Sequence, residues 1–289
     1  KIPTSQCPAR AARDWSRTVK WKKRRNKPQN DCKQLSCPLY LKGQSWYNES
    51  MKKRKLRALS YAKINLSLNV SGKNGEGMHL LDSVTASVSI ADAVTVCERF
   101  DSQINVTYDG RPSVYENDSV KKAVVFLQKR FGNFGLDVAV EKHLPEGAGI
   151  GGSSADAAAA IVLADRLFDF VGRGLDVKEA AGEVGSDVPL MCNGGFCRLT
   201  GIGENIERIN GAEKMFNIVL YCGERGVSTA ECFKLFDEKC PSFAFSPSDN
   251  ESIASALKSG QARETALLCG NALTEFAAEI DDSIYTRME

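Results

Sequence analysis

Four glycines fall within six positions in the stretch Leu-Pro-Glu-Gly-Ala-Gly-Ile-Gly-Gly-Ser-Ser-Ala-Asp-Ala-Ala-Ala-Ala, residues 144–160. Gly147, Gly149, Gly151 and Gly152 can take positive φ and let another group come close to the main chain. The alanine-rich run behind them forms a helix whose first N–H groups are unpaired and carry partial positive charge. That combination makes a cradle for phosphate. Ser153 and Ser154 are placed to cap the helix, to hydrogen-bond a phosphate, or to hold Mg²⁺ through water. No Gly-Lys-Ser/Thr follows, and Gly147, Gly149 and Gly152 meet the dinucleotide spacing only loosely. On the glycines alone, a phosphate cradle and an unliganded helix start are equally open. Two charged residues add to the picture. Asp187 follows Gly185-Ser186 and precedes Pro189, so it is held at a turn, where it serves either as a cap or as an acceptor for the proton of an attacking hydroxyl. Lys63 stands mid-strand among apolar neighbours, an expensive place for an idle ammonium unless the strand is an edge that turns it to solvent.

The elements that must position these groups follow from periodicity. Residues 59–70 alternate as a strand, with Ala62, Ile64, Leu66 and Leu68 on one face. Residues 72–77 are a turn, and 80–90, 92–100 and 104–110 read as further strands. A helix begins near Asp118, and residues 136–145 form the strand that leads into the glycines. Helices over 154–170 and 176–185 follow, then a hairpin over 194–209. Residues 214–223 read as a buried strand that opens a second region, with helices over 228–238 and 252–280. This order fits an α+β protein with a mixed-sheet first domain and a second α/β or α+β domain.

Composition narrows the class. The 289 residues are 43% hydrophobic and 26% charged, as in globular proteins, and no apolar run reaches the roughly 20 residues of a membrane helix. Ten cysteines include no Cys-x-x-Cys pair, so zinc has little support and buried thiols in a reducing compartment are the expectation. Residues 1–50 hold 12 Lys/Arg against 3 Asp/Glu, whereas the remainder holds 26 against 33. An acidic body is unlike a nucleic-acid-binding enzyme. The basic head reads as a nucleic-acid arm, a targeting peptide or a segment foreign to the fold. From Met51 onward the chain has the look of a compact domain's beginning, so 1–50 are expected to be a disordered or non-native extension.

The glycine stretch resembles the phosphate loop of the GHMP kinases, small-molecule kinases named for galactose, homoserine, mevalonate and phosphomevalonate. Tyr-Ala-Lys-Ile-Asn-Leu at 61–66, with its glycine turn and histidine, and Gly-Ser-Asp-Val-Pro at 185–189 resemble, in order, two motifs of the members that phosphorylate a cytidylyl-methylerythritol. The similarity runs from about Leu59 to the end of the chain. It implies ATP-dependent phosphorylation of that substrate's 2-hydroxyl, with Mg²⁺, in non-mevalonate isoprenoid synthesis. It implies a two-domain GHMP-kinase-like α+β fold, with the ATP loop in 51–208 and a second domain in 209–289. It implies a cytoplasmic monomer or homodimer with small-molecule partners and neither nucleic acid nor membrane. By the same resemblance Asp187 and Lys63 face each other as catalytic residues, and Asn65, His79, Thr229 and Phe233 meet the substrate, His79 by hydrogen bonding the cytosine and Phe233 by stacking on it. Asn117 and Lys142 lie around the adenine, although Asn117 could instead cap the following helix. His143 has no such role.

Three features depart from the pattern. Met78 stands where the family has a tyrosine that stacks on the cytosine, and Ser153 and Ala155 replace a glycine and a serine of the loop. A second glycine-rich loop expected on the C-terminal domain is not found, so that domain reads as truncated. A kinase for another small alcohol and a non-catalytic nucleotide-binding relative are the alternatives.

Overall fold

The computed structural model describes residues 53–212, 216–221, 226–239 and 247–284. These all belong to one compact unit, and the head, residues 1–50, lies outside the described residues.

The sheet is organised by one long strand. After β1 (Lys55–Asn65) and β2 (Ser67–Lys73), β3 runs unbroken over His79–Arg99 and pairs with β1, β2, β6 and β7. Two expectations are corrected here. Residues 80–90 and 92–100 are one strand, and 59–70 is divided between two. The break in pairing, at Val88–Ile90, is a bulge that leaves the strand continuous. Tyr61 opposes Ala91 but Lys63 opposes Ser87, so three residues of β3 face one of β1. A bulge bends a strand without ending it and re-aims the side chains beside it. The amide of Lys63 donates across to the Ile150 carbonyl at 3.0 Å, tying the strand to the glycine loop.

Beyond β3 lie β4 (Ile104–Tyr108), β5 (Arg111–Pro112), β6 (Gly135–Glu141), and the hairpin of β7 (Phe196–Gly201) and β8 (Asn205–Arg208). The β4–β6 pair is parallel and β3 is antiparallel to its neighbours, so the sheet is mixed. Helix α1 (Ser119–Phe131) is capped by Asp118, whose side chain accepts from Lys121 N–H; Asn117 is therefore not the cap. Helices α2 (Gly152–Phe168), α3 (Val177–Val184) and α4 (Val188–Asn193) complete a layer that shares one core with β1, β3, β4 and β6. Ala157–Ala160 are fully buried in it, small enough to let α2 lie close on its neighbours.

Helix α5 (Thr229–Lys239) stands where a helix is expected over 228–238, whereas α6 (Asn250–Ser259), α7 (Ala262–Leu268) and α8 (Thr274–Ile280) replace the longer helix expected at 252–280. Gly260, at φ +71°, ends α6, and Gly270–Asn271 form β9, which pairs parallel with β2. Two hydrophobic clusters join these helices to β2 and β3. One contains Leu68, Phe236 and Phe276, and the other Val84, Ile253 and Leu257. Residues 216–221, the described part of the expected strand at 214–223, are irregular. Ile218, Val219 and Tyr221 are exposed, whereas Phe216 packs edge-on to Phe196. Strand-favouring side chains make a strand only where a neighbouring backbone supplies its ladder, and none of the described strands pairs with this segment.

Candidate active site

The glycine loop is pinned at both ends, covered by the Gly226 backbone at Gly147 and open at Gly149. Leu144 and Ile150 are buried against Ala62, and between them Gly147 and Gly149 adopt φ of +68° and +69°. Gly151, at φ +72°, is the N-cap of α2, and no side chain caps the helix. The helix thus starts at Gly152, and Ser153 and Ser154 lie within its first turn. They are not its caps, a correction that follows from Gly151 taking the left-handed turn into the helix. Ser153 is exposed. The first helical bond runs from Ala155 N–H to Gly151 C=O. A Cβ added at Gly149 would meet nothing, whereas one at Gly151 would overlap Met191 and press on the Lys63 side chain at 3.4 Å.

Lys63 is turned inward. It is only 8% exposed, and its ammonium lies 3.7 Å from Asp187 Oδ2 and 3.3 Å from Asn65 Oδ1. The edge-strand alternative therefore does not describe it. Lys63 and Asn65, two residues apart on β1, point to the same side, as strand geometry requires. Asp187 precedes α4, but its side chain makes no capping hydrogen bond and keeps 42% of its surface exposed. A half-exposed carboxylate beside a buried ammonium can accept a proton from a polar group arriving from solvent.

Lys142 is placed differently from a residue whose ammonium contacts a base. Its Nζ bonds Asp92 Oδ2 and, at 3.0 Å, Asp156 Oδ2, two fully buried carboxylates. Ser60 Oγ donates to the other oxygen of Asp156, and the amides of His143 and Leu144 donate to Asp92. One ammonium thus joins β3, the strand entering the glycine loop and the helix leaving it. Burial pushes the Asp156 carboxyl up to about 6 despite the ammonium beside it. Lys142→Met should cost about 3–5 kcal/mol of stability, because it leaves two buried carboxylates uncompensated. Without the lysine the native state holds carboxyl protons to higher pH than the unfolded chain does. The variant's stability should then fall as pH rises, and the deficit in urea unfolding should be larger at pH 8 than at pH 5. Equal deficits at both pH values would mean that charge is not the cause.

A second cluster gathers where α5 meets the β2–β3 hairpin. The His79 ring stacks on Phe233 with centroids 4.5 Å apart, and its Nε2 lies 2.7 Å from Asp237 Oδ1. Thr229 is exposed at the start of α5, and Met78 is 52% exposed. A base needs about 7 Å between two flanking planes, twice the contact distance. It does not fit between His79 and Phe233 as they stand, so His79 offers its edge and not a wall. Asn117 is exposed next to the α1 cap.

Known proteins place these features in one family. The family model described as GHMP kinases N terminal domain matches residues 118–195. A 4-diphosphocytidyl-2-C-methyl-D-erythritol kinase of Desulfitobacterium hafniense (strain Y51) is 34% identical over 223 residues, 77% of this chain and 75% of that relative. The chain belongs to the GHMP kinase family. It is a small-molecule kinase, a phosphotransferase. The same name is carried by a relative from Pelotomaculum thermopropionicum, 34% identical over 221 residues and 75% of each chain. A crystal structure of 4-(cytidine 5'-diphospho)-2C-methyl-D-erythritol kinase superposes with a TM-score of 0.60 at 25% identity, covering 79% of both chains. Mevalonate pyrophosphate decarboxylase from Streptococcus pyogenes shares the fold at 16% identity, with a TM-score of 0.52 over 82% of this chain and 76% of that one.

Within this GHMP kinase the sequence motifs left out Asp92, Asp156, Ser60 and Asp237. Asp156 carried a signal: a carboxylate inside an alanine-rich buried helix needs a partner. Asp92 and Asp237 carried none, because their partners are 50 and 158 residues away. No helix of the described residues is long and apolar enough to cross a membrane.

Proposed function

We propose that this kinase transfers the γ-phosphoryl group of ATP to the 2-hydroxyl of 4-diphosphocytidyl-2-C-methyl-D-erythritol, in the cytoplasm and as a step of isoprenoid synthesis. The observation that carries this reading is the Lys63–Asp187 pair, 3.7 Å apart, in a chain whose Gly151 packs on Lys63 at the uncapped start of α2. Phosphoryl transfer asks for positioning and charge stabilisation more than for covalent chemistry. The hydroxyl oxygen attacks the γ-phosphorus, the bond to the β–γ bridging oxygen breaks, and the hydroxyl proton passes to Asp187. Lys63 stabilises the charge on the transferring group. Asn65 orients the alcohol, while His79, Phe233 and Thr229 hold the cytidylyl end. The amides of 147–154 hold the triphosphate, with Asn117 towards the adenine and Lys142 setting the loop from behind.

Mg²⁺ would accompany the triphosphate. Among the described residues no group of three or more His, Cys, Asp or Glu could hold an ion alone. The hydroxyls of Ser153 and Ser154 are oxygen donors in the first turn of α2, and they would hold a hard cation that keeps several of its waters. Bound there, the ion would neutralise charge on the phosphates.

ADP release measured with the cytidylyl substrate, mevalonate and homoserine tests the substrate. Turnover should be at least about 100-fold more efficient (kcat/KM) with the first, the discrimination expected of a site that hydrogen-bonds its substrate. Met78 in place of an aromatic wall favours a second reading, a different small alcohol, and comparable or better turnover of another alcohol would establish it.

A further inference from the structure

Lys73 and His79 are opposite one another in the β2–β3 hairpin. Cross-strand neighbours on one face lie about 5 Å apart at Cβ, close enough to share one partner. That partner is Asp237 of α5. Its Oδ2 accepts from Lys73 Nζ at 2.7 Å, and its Oδ1 is 2.7 Å from His79 Nε2. One turn earlier on the same helix, Phe233 stacks on the His79 ring. The ring is therefore fixed in plane by Phe233 and in rotation by Asp237, and among the described residues its Nδ1 makes no hydrogen bond. Lys73, and after it His79, hold the Asp237 carboxyl below the ordinary carboxylate range, so it stands as an anionic acceptor.

We infer that Asp237, itself held by Lys73, is a positioning residue that keeps the His79 proton on Nε2 and so presents Nδ1 as a hydrogen-bond acceptor for an amino-bearing nucleobase. A carboxylate oxygen can only accept, so the ring nitrogen facing it must carry the proton. The other nitrogen of the neutral ring then has a lone pair, which pairs with an exocyclic amine and rejects a carbonyl. The discrimination is between a cytosine-like and a uracil-like edge. This deepens the proposed function and rests on it for the identity of the base, but the location of the proton is a property of the chain alone.

The arrangement makes an unusual demand of asparagine at this position. Its NH₂ cannot face the Lys73 ammonium, so its carbonyl must turn to Lys73 and its NH₂ to His79. Nε2 must then accept, and the proton must move to Nδ1. Asp237→Asn should invert the tautomer, while Asp237→Asn with Lys73→Met frees the amide to rotate and should restore it. The protein has only two histidines, and His143→Gln assigns the spectrum. In ¹⁵N-detected NMR of the ligand-free protein, His79 Nε2 should be pyrrole-like in the parent, pyridine-like in Asp237→Asn, and pyrrole-like again in the double variant. CDP affinity by calorimetry should fall about tenfold in Asp237→Asn and recover in the double variant. Retention of a pyrrole-like Nε2 in Asp237→Asn overturns the inference, as does a double variant that regains neither the tautomer nor the affinity. A parent protein that binds UDP as well as CDP overturns the cytidylyl reading instead, and the NMR result still decides the role of Asp237.

Discussion

Asp187→Asn is expected to lower kcat by about 10²–10⁴-fold, the range a positioned general base contributes. Asparagine has the size and shape of the aspartate but cannot take the proton of the attacking hydroxyl. Because the Asp187 side chain neither caps α4 nor is deeply buried, the exchange removes little structure. The melting temperature should therefore barely move, and ATP affinity should hold within about twofold, a change of only a few tenths of a kcal/mol. Single-turnover phosphorylation separates the chemical step from product release, and the loss should be in the former. Lys63→Met should produce a fall of similar size, with some loss of stability because the ammonium is buried among polar partners. Groups that act as one unit are not additive, so the double variant should be little worse than either single one. A multiplicative double loss would mean that the two residues serve separate steps. Unchanged turnover in Asp187→Asn would remove it as the base.

The chemistry of the site was more legible in the sequence than the path of the chain. Lys63, Asp187 and the glycines sit in contiguous motifs, and each motif carries its own local requirement, a strand alternation, a proline-fixed turn or a left-handed one. Such requirements are local, so residue type discloses them. The division of β1 from β2, and the continuity of β3 through its bulge, depend on which residues of a distant strand stand opposite. Ser89 and Asp92 look like punctuation in isolation, yet Asp92 is fully buried as the anchor of the loop amides at 143 and 144. The segment 216–221 misleads for the complementary reason. Phe-Asn-Ile-Val-Leu-Tyr has the composition of a strand, but composition does not supply a partner. Lys142 shows both effects. Its position beside the loop was readable, but the direction of its ammonium was set by two carboxylates 50 residues before it and 14 after.

Gly149→Val should remove nucleotide binding, weakening the Kd for ATP by at least about 100-fold, or about 2.7 kcal/mol. The glycine has φ +69°, a conformation that costs an L-residue about 1–2 kcal/mol, more for a β-branched one. That strain falls on stability and should show as a modest drop in melting temperature. The affinity loss has a different origin. Nothing lies within 4 Å of a Cβ added at this glycine, so the new side chain meets no protein. It projects into space that a phosphate must enter to reach the amides. Gly149→Ala, with the smaller strain of an unbranched residue and a single methyl, should therefore bind ATP with intermediate affinity. Gly151 gives the contrasting case, since its Cβ would strike Met191 and crowd Lys63. Gly151→Ala should disturb the fold and the ammonium together, lowering melting temperature and kcat at once. If Gly149→Val bound ATP as the parent does, no phosphate would lie on this loop, and Lys63 and Asp187 would need another route to the γ-phosphoryl group.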